Sequence, residues 1–138
     1  MGGIACAAMA ATTTSETPEQ RRSRRIGAAG LATMGVLHFV APAQFDRIIP
    51  SWVPGKPRTW THVSGVWELT SAALLARPQT KRLGGMAAAA TIVAVYPANI
   101  QMALDAGKPH DPESFAAWLR LPFQVPMWIW AYRNATRP

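Results

Sequence analysis

Four strongly polar side chains stand in otherwise apolar parts of this 138-residue sequence, and they are His38, Glu68, Asn99 and Arg120. An imidazole and a carboxylate can hold or pass a proton, and an amide and a guanidinium can bind a carbonyl or an anion. Ser64 and Gln124 each precede or follow one of them by four residues, which places them on the same helix faces. The pattern predicts a polar site, with Glu68 and Arg120 as its ion pair.

The stretches around these residues are nearly free of charge and long enough to be membrane helices. The predicted spans are residues 26–45, 59–76, 83–104 and 114–132. About 20 helical residues cross a hydrocarbon core of roughly 30 Å. The sequence therefore predicts an all-α, four-helix transmembrane bundle. A soluble alanine-rich bundle is the alternative, but the third stretch lacks the charged stripe that a water-facing helix carries.

The net charge of +7 is divided unevenly between the two ends of the predicted bundle. Nine bases lie at one end, namely Arg21, Arg22, Arg24, Arg25, Arg77, Lys81, Arg82, Arg133 and Arg137. Four lie at the other, namely Arg47, Lys56, Arg58 and Lys108. By the positive-inside rule both termini are cytoplasmic, and the four polar residues then lie roughly 8–14 Å below the outer surface. Because the bases flank the spans, we expect the lipid bilayer as partner and no nucleic acid.

The two ends of the chain are predicted to be tails. Residues 1–25 are polar or small and are predicted to be a disordered basic tail, and residues 134–138 a short C-terminal one. An alternative treats the twin arginines Arg24 and Arg25, with the apolar run after them, as a cleavable signal that leaves Gln44 first.

The sequence contains few residues that could bind a metal or form a disulfide. Cys6 is the only cysteine, so an intramolecular disulfide and a cysteine zinc cage are excluded. His62 and His110 fall at the outer interface and in the outer loop, away from the level of His38. No metal site is predicted.

Short motifs occur on all four predicted helices. They are Gly35–Phe39 with the following Phe45–Pro50, then Ser64–Glu68, Pro97–Met102 and Trp118–Gln124. In this order, over about residues 27–133, the chain resembles the DoxX family of small four-helix membrane proteins. The resemblance implies a multi-pass protein of the bacterial inner membrane. Some members are named as subunits of a thiosulfate:quinone oxidoreductase or are linked to redox and oxidative-stress assemblies, and many have no assigned activity.

Three functions follow from the resemblance and the polar site. The first is a non-catalytic subunit or scaffold of a redox-related membrane assembly, with membrane or redox proteins as partners. The second is a quinone-binding oxidoreductase subunit, in which His38 and Glu68 handle protons and Arg120 or Asn99 holds a quinone carbonyl. The third is a small transporter acting as a homo-oligomer. A polar cluster that only fixes helix register stays an equal alternative to a working site.

Overall fold

The computed structural model describes residues 16–137. These residues form five α-helices and one short 3₁₀ helix, with no strand among them. The α-helices are α1 (Pro18–Val40), α2 (Pro42–Asp46), α3 (Pro57–Ala76), α4 (Lys81–Asp105) and α5 (Pro112–Thr136), and the 3₁₀ helix Pro78–Thr80 joins α3 to α4. The predicted all-α class is confirmed.

The helices begin where the sequence supplies start signals. Proline occupies the first turn of four of the five α-helices, where its missing N–H costs nothing. Two long helices also have capping boxes, in which Thr17 and Gln20 exchange hydrogen bonds before α1 and Asp111 and Ser114 do so before α5. These caps satisfy N–H groups that have no partner within the helix.

Both predicted tails are partly helical. Helix α1 begins at Pro18, so the prediction of a disordered tail is wrong for residues 18–25, which are rich in helix-forming Glu, Gln and Arg. Residues 1–15 and the lone Cys6 lie outside the described residues. At the other end α5 continues to Thr136, and the predicted tail is therefore shorter.

The first predicted span is also divided. Helix α1 ends at Val40, and the separate helix α2 begins at Pro42, because a proline ring restricts the residue before it to non-helical backbone. Ala41 accordingly has φ −129° and ψ 52°. Helix α2 then folds against the start of α3 rather than continuing the span.

The long helices pack in chain order, with α1 on α3, α3 on α4 and α4 on α5. Glycines allow three of these contacts to be close. A Cβ atom on Gly65 would lie 2.8 Å from the Cβ of His38 on α1. A Cβ on Gly84 would lie 2.5 Å from the backbone nitrogen of Leu75, and one on Gly85 would lie 2.5 Å from that of Ala135. Small residues therefore position α3 and α5 against their neighbours.

The buried residues are mostly small or polar, whereas most large apolar side chains are on the outside of the helices. Buried apolar residues are mostly alanines, with Leu75 and Ile92 as the larger ones. Exposed large residues occur on every long helix and include Val36, Val66, Val93, Phe123 and Ile129. One helical segment, Pro78–Asp105, is long and apolar enough to cross a membrane.

Candidate functional site

Helices α1 and α3 bring His38 and Glu68 together. The Nδ1 atom of His38 lies 3.3 Å from the Oε2 atom of Glu68, and both side chains are largely buried, at 9% and 13% exposure. Nδ1 also lies 2.8 Å from the carbonyl oxygen of Met34, one turn earlier on α1. Because a carbonyl oxygen only accepts hydrogen bonds, Nδ1 must carry the ring hydrogen and donate a hydrogen bond to the Met34 carbonyl. Phe45 of α2 stacks on the imidazole with ring centroids 3.8 Å apart.

This arrangement leaves acceptor capacity unused. The Oε2 atom of Glu68 is buried and has no hydrogen-bond donor, since the Nδ1–H of His38 is directed to the Met34 carbonyl. Buried acceptors without a donor are uncommon, because each one costs the hydration it has lost. The pair can therefore accept a hydrogen bond or a proton at this oxygen without breaking an existing bond.

Gln124 forms a second buried polar contact, between α5 and α4. Its Nε2 atom donates to the carbonyl oxygen of Ile92 at 3.4 Å, and its Oε1 atom is buried without a donor. Asn99 is buried in the same helix as Ile92, whereas Ser64 is only partly buried on α3. Within the part of the chain that the structure describes, none of these residues forms a hydrogen bond with His38 or Glu68.

The predicted ion pair between Glu68 and Arg120 does not form in the structure. Arg120 is exposed on α5, and its Nη1 atom lies 3.8 Å from the Sδ atom of Met102 on α4. Helix α5 packs on α4, while Glu68 faces α1 from α3. The candidate residues are thus divided into a His38–Glu68 pair, a separate α4–α5 set of Asn99, Arg120 and Gln124, and Ser64 by itself on α3.

Arg24 and Arg82 were predicted to be bases that flank the spans. In the structure they instead bind carbonyl groups at the C-terminal ends of helices. The Arg24 side chain is buried, with 2% exposure. Its Nε and Nη2 atoms donate to the two carboxylate oxygens of Glu16, at 2.7 and 3.0 Å. Its Nη1 atom donates to the carbonyl oxygen of Leu75. Arg82 donates to the carbonyl of Ala135 at 3.2 Å. The last carbonyls of a helix lack internal partners, so these two arginines satisfy the C-terminal ends of α3 and α5.

A capping role for these arginines has a weak sequence signal. Both α3 and α5 end without a glycine in the left-handed conformation, so another donor has to serve their carbonyls. A helix in isolation does not identify that donor, because Arg24 lies 51 residues before the carbonyl it binds.

The opposite end is held by acidic residues. Asp46, which ends α2, accepts hydrogen bonds from Thr61 at 2.6 Å and from Arg58 at 2.8 Å, both at the start of α3. The hydrogen bond from Thr61 and then that from Arg58 lower the pKa of Asp46 below its ordinary value, despite some desolvation. Hydrogen bonds from Ser114 likewise lower the pKa of Asp111 at the start of α5.

Metal ligands do not gather anywhere in residues 16–137. No group of three or more His, Cys, Asp or Glu side chains there could hold a metal ion.

A family model described as a domain of unknown function (DUF8561) matches residues 27–135. The matched segment includes all four long helices apart from the first turns of α1, together with every candidate polar residue. Searches of curated proteins and of solved structures found no match.

Proposed function

The chain belongs to the DUF8561 family, a domain of unknown function, and we propose that it is a four-span protein of the bacterial inner membrane with both termini in the cytoplasm. In this proposal α1, α3, α4 and α5 are the spans. The chain serves there as a non-catalytic subunit or scaffold of a redox-related membrane assembly.

The observation that carries the membrane proposal is the distribution of side-chain size. Large apolar residues on all four long helices point outward, while alanine, glycine, serine and threonine occupy the contacts between helices. In water the reverse arrangement is favoured, because burial of large apolar side chains drives folding. In lipid, small residues are favoured between helices because they allow close backbone approach.

The ends of the helices agree with this placement. Trp60 and Trp118 lie near the starts of α3 and α5, and their Nε1 atoms donate to loop carbonyls of Pro54 and Gly107 at 2.7 Å each. Indole rings with a satisfied N–H and an exposed apolar surface are typical of the membrane interface. The nine bases of the opposite end support a cytoplasmic location for it.

The membrane proposal can be tested by extraction and by topology reporters. We expect the full chain to resist alkaline carbonate extraction and to dissolve in nonionic detergent. Reporters that are active only in the cytoplasm should work after Pro138 and fail when inserted at Gly55 or Gly107, in the outer loops. Release by carbonate, or activity of a cytoplasmic reporter at Gly55, would contradict the four-span arrangement.

The subunit role is supported by the exposed exterior and by the DoxX resemblance. Large apolar side chains of α4, among them Leu83, Met86 and Val93, are exposed, so part of its surface is open to lipid or to another membrane protein. We expect the protein to migrate in mild detergent within a complex larger than its own oligomers. Mass spectrometry of that complex should identify a membrane redox protein. A homogeneous monomer or homo-oligomer would instead favour the transporter hypothesis or an independent role.

A quinone-binding subunit is the second candidate, and the unpaired Oε2 atom of Glu68 favours it. A quinol hydroxyl is a hydrogen-bond donor of the kind this oxygen lacks, and a bound quinone supplies redox chemistry. Of the two residues predicted to hold a quinone carbonyl, Arg120 is exposed away from the pair and Asn99 is buried on α4. Extraction of the purified protein should yield quinone in proportion to protein if this candidate holds. The Glu68→Gln variant should then retain less of it than wild type.

A further inference from the structure

A cavity of about 490 Å³ lies where the start of α1 approaches the end of α5. Its walls come from the first turns of α1, the last turns of α5 and Lys81 at the start of α4. Volumes of this size fall within the range of small-ligand sites, roughly 300–1,000 Å³. The cavity is separate from the His38–Glu68 pair, which lies near the end of α1 and the middle of α3.

The wall contributed by α5 changes from apolar to basic along the helix. Pro126, Ile129 and Trp130 line the part nearer the middle of the helix, and Arg133 and Arg137 line the part at its end. At about 1.5 Å per residue, Ile129 and Arg133 are separated by about 6 Å along the axis. A ligand that fills this cavity therefore meets apolar surface at one end and guanidinium groups at the other.

Positive charge dominates the polar end. Lys81, Arg133 and Arg137 contribute bases, and Glu16 and Glu19 contribute acids. Both oxygens of Glu16 accept hydrogen bonds from the buried Arg24, which lowers the pKa of Glu16 and offsets its charge. Glu19 remains as the opposing charge. An anion is accordingly favoured over a cation at this end.

Trp130 fixes the geometry of the cavity. Its Nε1 atom donates to the Oγ atom of Ser23 at 3.0 Å, and its ring fills the space that a Cβ atom on Gly27 would need. The indole thereby bridges α5 and α1 and holds the two walls at a defined distance. The apolar part of the cavity is thus built by side-chain packing rather than by a loop.

We infer that this cavity binds the phosphate group of an anionic phospholipid of the cytoplasmic leaflet, with the start of an acyl chain against Ile129 and Trp130. The inference rests on the proposed membrane placement, which puts this end at the cytoplasmic surface. Arginine binds phosphate through paired N–H donors, and Arg133 and Arg137 supply two such groups. A soluble phosphate compound shares the phosphate chemistry but leaves the apolar wall unused.

Native mass spectrometry of the delipidated full-length protein in nonionic detergent tests the inference. We expect wild type to bind phosphatidylglycerol at least about tenfold more tightly than phosphatidylcholine, because the arginines favour net negative charge. Inorganic phosphate should neither bind detectably nor compete. No preference for phosphatidylglycerol, or equal binding of inorganic phosphate, would overturn the inference.

Variants locate the binding. Arg133→Gln combined with Arg137→Gln should remove most of the preference, whereas Arg77→Gln, which removes a base at the same end but outside the cavity, should keep it. Arg133→Lys should retain part of the preference, since the charge remains. Equal loss in Arg77→Gln and the double variant would indicate lipid held by charge alone and would contradict a site. Carbonate extraction of each variant tests membrane insertion separately, so that the two proposals can fail independently.

Discussion

At the scale of single residues, Glu68 is the carboxylate with the least support from its surroundings. Its Oε2 atom has no donor, although His38 lies 3.3 Å away. A buried carboxylate without hydrogen bonds costs free energy that a neutral residue of the same shape does not. We therefore expect Glu68 to have a role other than stabilising the fold.

Replacement of Glu68 by glutamine tests this expectation. The Glu68→Gln variant should unfold in detergent at the same temperature as wild type or higher, because the amide avoids the cost of a buried charge. His38→Ala should lower the unfolding temperature, since it also removes the stacking on Phe45. A marked loss of stability in Glu68→Gln would show that the carboxylate is structural. Unchanged stability with a lost cellular phenotype would favour a working site.

Asp46 gives the protein a stability that depends on pH. Its folded pKa lies below the ordinary value of about 3.9, so its contribution is complete above about pH 4 and is lost as the pH falls through the folded pKa. The unfolding temperature of wild type should exceed that of Asp46→Asn at neutral pH. Their difference should shrink in acid. A difference that stays constant from about pH 6 to about pH 3 would contradict a charged role for Asp46.

The sequence predicts the His38–Glu68 pair only in part. Helical spacing shows which residues share a face, yet Gln124 is buried whereas Arg120, four residues earlier on the predicted face, is exposed. Spacing does not show which helices are neighbours. Because α3 lies between α1 and α4, Glu68 meets His38, while Arg120 on α5 meets Met102 on α4.

At the scale of the helix, Arg24 is expected to hold two elements at once. Arg24→Gln leaves the carbonyl of Leu75 without its donor and should destabilise the protein by about 1–3 kcal/mol. Arg25→Gln, at the adjacent exposed position, should change stability by less than about 0.5 kcal/mol. Unfolding monitored by tryptophan fluorescence measures both. Equal effects would mean that Arg24 acts only as a flanking charge.

Helix ends show why the predicted boundaries were inexact. Absence of charge locates the apolar middle of each helix, and all four long helices contain the predicted apolar stretch or most of it. The absence of charge gives no information about helix capping. Thr17 and Gln20 extend α1 into a charged segment, and Pro42 ends the first span early. Side-chain hydrogen bonds and proline sterics decide these boundaries, and hydropathy does not include them.

Glycine positions make a further prediction about helix contacts. Gly85→Ala should destabilise the protein by about 1–3 kcal/mol, because the new methyl group meets the backbone nitrogen of Ala135 at 2.5 Å. Gly30→Ala is the matched control, since no atom lies within 4 Å of its added Cβ. It should stabilise α1 by about 0.5–1 kcal/mol through helix propensity. Similar unfolding temperatures for the two variants would contradict the close α4–α5 contact.

At the scale of the whole molecule, charge and size are arranged in layers. Bases collect at the end formed by the start of α1 and the end of α5, large apolar residues surround the middle, and small or polar residues fill the interior. In the proposed membrane arrangement, the uneven division of the +7 net charge between the two ends sets the orientation of the protein. The two candidate sites lie at different heights along the helices, with the basic cavity at the start of α1 and the His38–Glu68 pair toward the end of α1.

Lysine substitutions along α4 distinguish a bilayer from water around this exterior. Val93 lies at the centre of the helix and Leu83 near its start, and their exposed fractions are similar, 59% and 55%. In water both replacements by lysine would change stability by less than about 0.5 kcal/mol. In a bilayer Val93→Lys should cost about 2.5–3.5 kcal/mol of insertion, while the Leu83→Lys side chain can reach the interface. The carbonate-resistant fraction should therefore fall for Val93→Lys alone, and equal fractions for the two variants would refute the proposal that α4 spans the membrane.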